Sequence, residues 1–139
     1  MLIAFLLFPS KTFNATSDKY HANGMKSETY HFRINRNSIT NKLDTLRWGP
    51  ATEWDEDGNK VSELNFRNNL LEGVCQYFYR DGKIRVLYYY RKGKTDSSVW
   101  FDQIGNIREK IRAGPERDTI YRYDSSGKIN IEARPDPSD

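Results

Sequence analysis

The chain has one cysteine, Cys75, in 139 residues, so no intrachain disulfide can staple it. It has two histidines, His21 and His31, and no Cys/His cluster with zinc spacing. No apolar run approaches the roughly eighteen residues that a membrane-crossing helix needs. Charge of one sign is also scarce. Lys and Arg number 22 against 19 Asp and Glu, a formal charge of +3. That is well short of the basic excess of a dedicated nucleic-acid binder. No Gly-rich phosphate loop leads into a helix, because no stretch carries a convincing helical period. What the chain does have is rings. Aromatics make up 14% of a sequence that is only 37% apolar and 29% charged. Disordered segments are poor in rings. A polar but ring-rich chain points to a thin fold, a sheet that partly buries one face.

The rings fall into a repeat. WDEDGNK starts at Trp54, FYRDGKI at Phe78, FDQIGNI at Phe101 and YDSSGKI at Tyr123. Each has an aromatic, three residues, a glycine, then Asn or Lys. The glycines Gly58, Gly82, Gly105 and Gly127 are spaced by 24, 23 and 22 residues. One such motif carries no signal; four at near-constant spacing mark an internal repeat. After Gly82 come Ile84, Val86, Tyr88 and Tyr90 at alternate positions. After Gly105 come Ile107, Glu109, Ile111 and Ala113, and after Gly127 come Ile129, Ile131 and Ala133. After Gly58 the set is Lys60, Ser62, Leu64 and Phe66. Period two means strands, and each set is read as one face continuing that of the repeat aromatic. Tyr77, Tyr79 and Tyr89 are out of phase and are expected on the other face.

A three-residue turn ending in a left-handed glycine pairs Phe78 with Ile84, Phe101 with Ile107, Tyr123 with Ile129 and Trp54 with Lys60. A two-residue turn would pair Phe78 with Arg85. Ring against β-branched side chain is the better cross-strand contact, worth roughly 0.2–1 kcal/mol. Second turns are expected at Arg67-Asn68-Asn69, Arg91-Lys92-Gly93-Lys94 and Ala113-Gly114-Pro115-Glu116, which carry polar, Gly and Pro residues. The fold class is therefore all-β, a single-layer antiparallel meander of tandem ~23-residue β-hairpin repeats. Eight to ten strands would span roughly 40–50 Å.

The array is expected over residues 28–135, in units 28–49, 50–73, 74–96, 97–117 and 118–135. In the degenerate first unit, Tyr30 and Phe32 supply the aromatic and Ile39 and Leu43 the apolar positions. Trp48-Gly49 stands at its second turn. Residues 136–139 form a tail and residues 18–27 a linker. The apolar run from Leu2 to Phe8 has the length of a signal-peptide core, with small residues Ala15, Thr16 and Ser17 before Asp18. Residues 1–17 are read as an export leader, which implies a periplasmic or secreted protein and otherwise a cytoplasmic one. Asn14-Ala15-Thr16 matches a glycosylation acceptor but lies inside that leader.

Little here can carry chemistry. Cys75 would need His31 or His21 as a base, and neither sits near it in sequence. Asp55-Glu56-Asp57-Gly58-Asn59 has oxygens at alternate positions, but Lys60 and Phe66 stand where a calcium loop wants glycine and glutamate. A non-enzymatic chain with no cofactor and no metal is expected. The strongest feature is charge with rings. From Tyr77 to Lys94 there are six cations against the single anion Asp81. Tyr77, Tyr79, Arg80, Arg85, Tyr89, Arg91 and Lys92 are the candidate partner-binding residues, since rings beside arginine make interface hot spots and stacking platforms.

The segments ATEWDEDGNKVSELNFRNNLLEG and QYFYRDGKIRVLYYYRKGKTDSSVWF resemble the MORN-repeat variant of bacterial proteins. That unit has an aromatic-rich strand, a D/N-G-K turn, an apolar strand ending in Tyr, and a turn like Tyr90-Arg91-Lys92-Gly93-Lys94. Phe66-Arg67-Asn68-Asn69 matches the last part without its glycine. The resemblance covers roughly residues 48–134. It implies a β-hairpin array, and many such chains carry the label YwqK-type antitoxin-like protein. The last unit, IYRYDSSGKIN, also resembles the YD repeat of secreted toxins, likewise β-sheet. The expected function is binding or scaffolding, first with another protein. An anionic surface (lipid headgroup, nucleic acid or cell-wall polymer) met by the Arg80–Lys94 stripe is the alternative. Self-association through edge strands is a further expectation.

Overall fold

A computed structural model describes residues 11–115 and 117–133. It is one antiparallel sheet with no helix among these residues. The strands are β1 (Thr12–Tyr20), β2 (Lys26–Arg36), β3 (Leu43–Trp54), β4 (Lys60–Arg67), β5 (Leu70–Leu71), β6 (Gly73–Phe78), β7 (Ile84–Arg91), β8 (Lys94–Phe101), β9 (Ile107–Arg112), β10 (Thr119–Tyr123) and β11 (Ile129–Ala133). They lie side by side in chain order, except that short β5 pairs with β4 off the main path. The expected single-layer meander is the observed fold.

Each repeat closes with the same turn. Tyr79 N–H donates to Lys83 O at 2.8 Å, and Gly82 N–H donates to Tyr79 O at 2.9 Å. Gly82 sits at φ +81°, a left-handed conformation that costs glycine nothing. Phe78 pairs with Ile84, Phe101 with Ile107, Tyr123 with Ile129 and Trp54 with Lys60, the register of the three-residue turn. On the opposite edge, Asn68 and Asn69 (φ 53° and 66°) and Lys92 and Gly93 (φ 51° and 79°) form two-residue turns with both central residues left-handed.

A fifth hairpin of this kind exists. β1 and β2 join through Tyr20-His21-Ala22-Asn23-Gly24, where His21 N–H donates to Met25 O and Gly24 N–H to His21 O. Residues expected as linker are thus strand and turn, because β1 pairs with β2 along its whole length. Residues 1–10 of the expected leader lie outside the described residues; Thr12 to Ser17 are part of β1. Trp48-Gly49 is not a turn. It lies inside β3 at an irregularity opposite His31, with Gly49 at φ +91°. Ile39 and Leu43 are exposed and fill no core position.

Faces differ from the alternation expected. In four hairpins an extra residue follows the turn: Ser27, Val61, Arg85 and Arg108 have no partner opposite. Such a bulge moves the next residues to the other face. Phe78 pairs with Ile84 but Tyr77 with Val86. Val86, Tyr88 and Tyr90 therefore share a face with Tyr77, not with Phe78. The same step puts Ser62, Leu64 and Phe66 opposite Trp54's face. In the β10–β11 hairpin, Tyr123 pairs with Ile129 and Arg122 with Asn130 without a bulge, so the expected alternation holds there.

This core face carries the buried residues. They are Tyr30, Ala51, Ser62, Leu64, Phe66, Cys75, Val86, Ser98 and Ile120. A single layer can bury side chains only where large neighbours overhang small ones. Val86 stands between Tyr77 and Trp100 on the flanking strands, and Ser98 between Tyr88 and Ile111. Each buried aliphatic side chain contributes about 1.5–3 kcal/mol.

Candidate functional site

Two clusters of rings stand over this floor of small residues. In the first, the Tyr77 and Tyr88 rings meet edge-on at 5.7 Å, Tyr88 meets Trp100 at 5.9 Å, and Tyr88 lies 5.8 Å from Tyr90. Period two on β7 and the register to β6 and β8 bring them together. All four are half-buried. Trp100 Nε1 donates to Ser98 Oγ at 3.2 Å, which gives the indole its polar partner. In the second cluster, Tyr30 meets Phe66 at 5.8 Å and Phe32 at 6.5 Å. The Arg47 guanidinium lies over Tyr30 at 4.4 Å and over Phe66 at 5.4 Å. Phe32, Tyr77 and Tyr90 all pack on the core group that contains Tyr30, Phe66 and Cys75. The rings thus form one band across β2 to β8.

Glu53 ties the band to its floor. Tyr30 Oη and Ser62 Oγ each donate to its carboxylate at 2.7 Å. Burial, then the bond to Glu53, pushes the Tyr30 phenol up to about 12. Burial, then the neighbouring Tyr90, pushes Tyr77 to about 12. Both phenols stay neutral near pH 7. Cys75 is fully buried, and burial raises its thiol, the opposite of what a nucleophile needs. His31 lies on the other face, with Nδ1 2.8 Å from Pro50 O, and His21 Nε2 is 2.9 Å from Trp54 O. A Cys75–His31 pair is not formed. Among the described residues no group of three His, Cys, Asp or Glu side chains is placed to hold a metal ion.

The seven residues expected to form a basic-aromatic patch do not converge. Tyr77 joins the ring band. Tyr79 sits at the hairpin edge and donates to Phe101 O at 2.7 Å. Arg80 pairs with Asp57 of the preceding hairpin. Arg85 is the exposed bulge residue. Tyr89 lies on the outer face, 38% exposed. Arg91 and Lys92 belong to the opposite edge, where Arg91 faces Asp96 at 3.6 Å and Lys92 N–H donates to Glu72. Contiguity in sequence is split over two faces and two edges.

Other residues were not foreseen. Trp100 has no distinguishing neighbour in sequence, and Glu53 is one of 19 acidic residues. On the outer face Arg33 stacks 3.4 Å from the Trp48 ring centre, and Arg67 lies 5.6 Å from it. The repeat signal itself extends further than read, because Tyr20-x3-Gly24 has the aromatic-x3-Gly form of the four motifs at Trp54, Phe78, Phe101 and Tyr123, with Met25 in place of the Asn or Lys.

The repeat aromatics Tyr20, Trp54, Phe78, Phe101 and Tyr123 line the hairpin edge of the outer face. Lys26 lies 5.9 Å from the Trp54 ring and Lys60 5.6 Å from that of Phe78. The family model of the MORN repeat variant matches residues 49–68 and 71–94, which hold the β3–β4 and β6–β7 hairpins. No curated protein and no solved structure matches the chain. Two consecutive hairpin units are thus similar to the MORN repeat variant, and the other hairpins of the sheet share their turn.

Proposed function

We propose that the chain is a non-enzymatic binding or scaffold module for another protein and that the ring band of the core face is its working surface. MORN repeats are generally binding or scaffold modules. The observation that carries the reading is the continuous run of half-buried rings from Tyr77 and Tyr90 to Trp100. Rigid aromatic side chains concentrate binding energy at interfaces. The antitoxin-like label of similar chains is one specific form of this reading, with a toxin-like protein as partner. The anionic-surface reading is weaker, because the cations it needs are divided between two edges.

Affinity capture with the chain as bait, in about 0.15 M and about 1 M salt, tests this. Trp100→Ala and Tyr90→Ala, each checked for a native β-sheet spectrum, should weaken capture roughly tenfold or more at both salts. Capture lost at high salt and indifferent to both substitutions would point to a phosphate-driven surface instead. For location, we place any leader cut upstream of Thr12, because a cut after Ser17 would remove six residues of β1. N-terminal sequencing of exported protein decides that.

A further inference from the structure

We infer that β1 is a self-complementary edge and that two copies of the chain join through it into one continuous sheet. Arg36 N–H donates to Lys11 O at 3.0 Å, in register with Thr12 opposite Asn35. Antiparallel ladders alternate, so the backbone groups of Phe13, Ala15, Ser17 and Lys19 point to β2. Those of Thr12, Asn14, Thr16 and Asp18 point away, toward the open edge. β1 is nine residues long, contains no proline and pairs with no other described strand. Long unprotected edges are templates for another strand.

The side chains select the register. With the two-fold axis at Thr16, Asn14 faces the partner's Asp18, Phe13 faces the partner's Lys19, and Ala15 faces the partner's Ser17. No like charges meet. The outward groups of Asn14, Thr16 and Asp18 then form about six new backbone hydrogen bonds. An axis at Asp18 would set that carboxylate against its own copy, which is unfavourable. Phe13 and Tyr20, 46% and 61% exposed, gain cover in the Thr16 register. The other sheet end, β11, is only five residues, and pairing it to β1 would give open filaments rather than a closed dimer. This inference is independent of the ring band.

Sedimentation of the full chain should show a dimer. Thr16→Lys puts like charges at the axis and should give a monomer with an unchanged sheet spectrum. Thr16→Pro removes an outward N–H that β2 does not use and should do the same. Oxidised Thr16→Cys should run as a covalent dimer, since facing residues of a hydrogen-bonded pair lie about 5.5 Å apart, within disulfide reach. Asn14→Cys, whose counterpart is the partner's Asp18, should not. A wild-type monomer at about 100 µM, a dimer that survives Thr16→Lys, or growth into filaments would overturn the inference.

Discussion

At the residue scale the chain's polar groups act as fasteners. Glu53 is the clearest. Ser62 is fully buried and its hydroxyl has Glu53 as acceptor. Glu53→Ala would leave that hydroxyl and the Tyr30 phenol without a partner, at a cost of about 1–3 kcal/mol. Glu53→Gln keeps an acceptor and should lose less; thermal or urea unfolding measures both. The acidic turns are fasteners too. Asp55 accepts from the Asn59 side chain and from backbone N–H groups of Asp57 and Asn59. Asp124 accepts from the Ser126 hydroxyl and from the N–H groups of Ser126 and Lys128. These bonds, led by the Asn59 and Ser126 side chains respectively, hold both carboxyls below their ordinary value of 3.8. A carboxyl with a lowered folded pKa contributes its stability above the unfolded value and loses it as pH falls through the folded one. Unfolding midpoints in urea should therefore drop below about pH 4, and Asp55→Asn with Asp124→Asn should flatten that drop.

At the scale of the element, the hairpin is the unit, and its glycine is the most sensitive point. Nothing lies within 4 Å of a Cβ built on Gly82 at φ +81°. Gly82→Ala should thus show the backbone penalty alone, about 1–2 kcal/mol. Equilibrium unfolding in urea reads it, and a change within a few tenths of zero would contradict the turn. Hairpin register was legible in the sequence because glycine spacing and aromatic-to-β-branched pairing agree on one turn length. The faces were not. The bulges at Val61, Arg85 and Arg108 change which face follows the turn, and a bulge residue has no compositional mark that period-two counting detects. Tyr20-His-Ala-Asn-Gly24 was legible in form, yet Gly24 and Gly58 are 34 residues apart. The long β2–β3 turn and the irregularity at Trp48-Gly49 stretch the period there. The site followed the same pattern. Rings and charge were visible as residues, but the faces decided which of them meet.

On the scale of the whole molecule, the sheet is a ribbon in which each described strand forms backbone ladders only with its neighbours. Stability in such arrays is roughly a sum over units and interfaces. A chain ending after Arg112 should therefore keep its other four hairpins, losing the packing of Ile120 beside Ile111. Circular dichroism should retain a β spectrum with a lower melting temperature; complete unfolding would show that the last hairpin is indispensable. In this ribbon Val86, Tyr88 and Tyr90 share a face with Tyr77 while Phe78 and Ile84 occupy the other. Cross-strand nuclear Overhauser contacts test it most directly. Contacts of Phe78 with Ile84, Tyr77 with Val86 and the Tyr77 ring with the Tyr88 ring are expected. Contacts pairing Phe78 with Arg85, or the Phe78 ring with Tyr88, would contradict it.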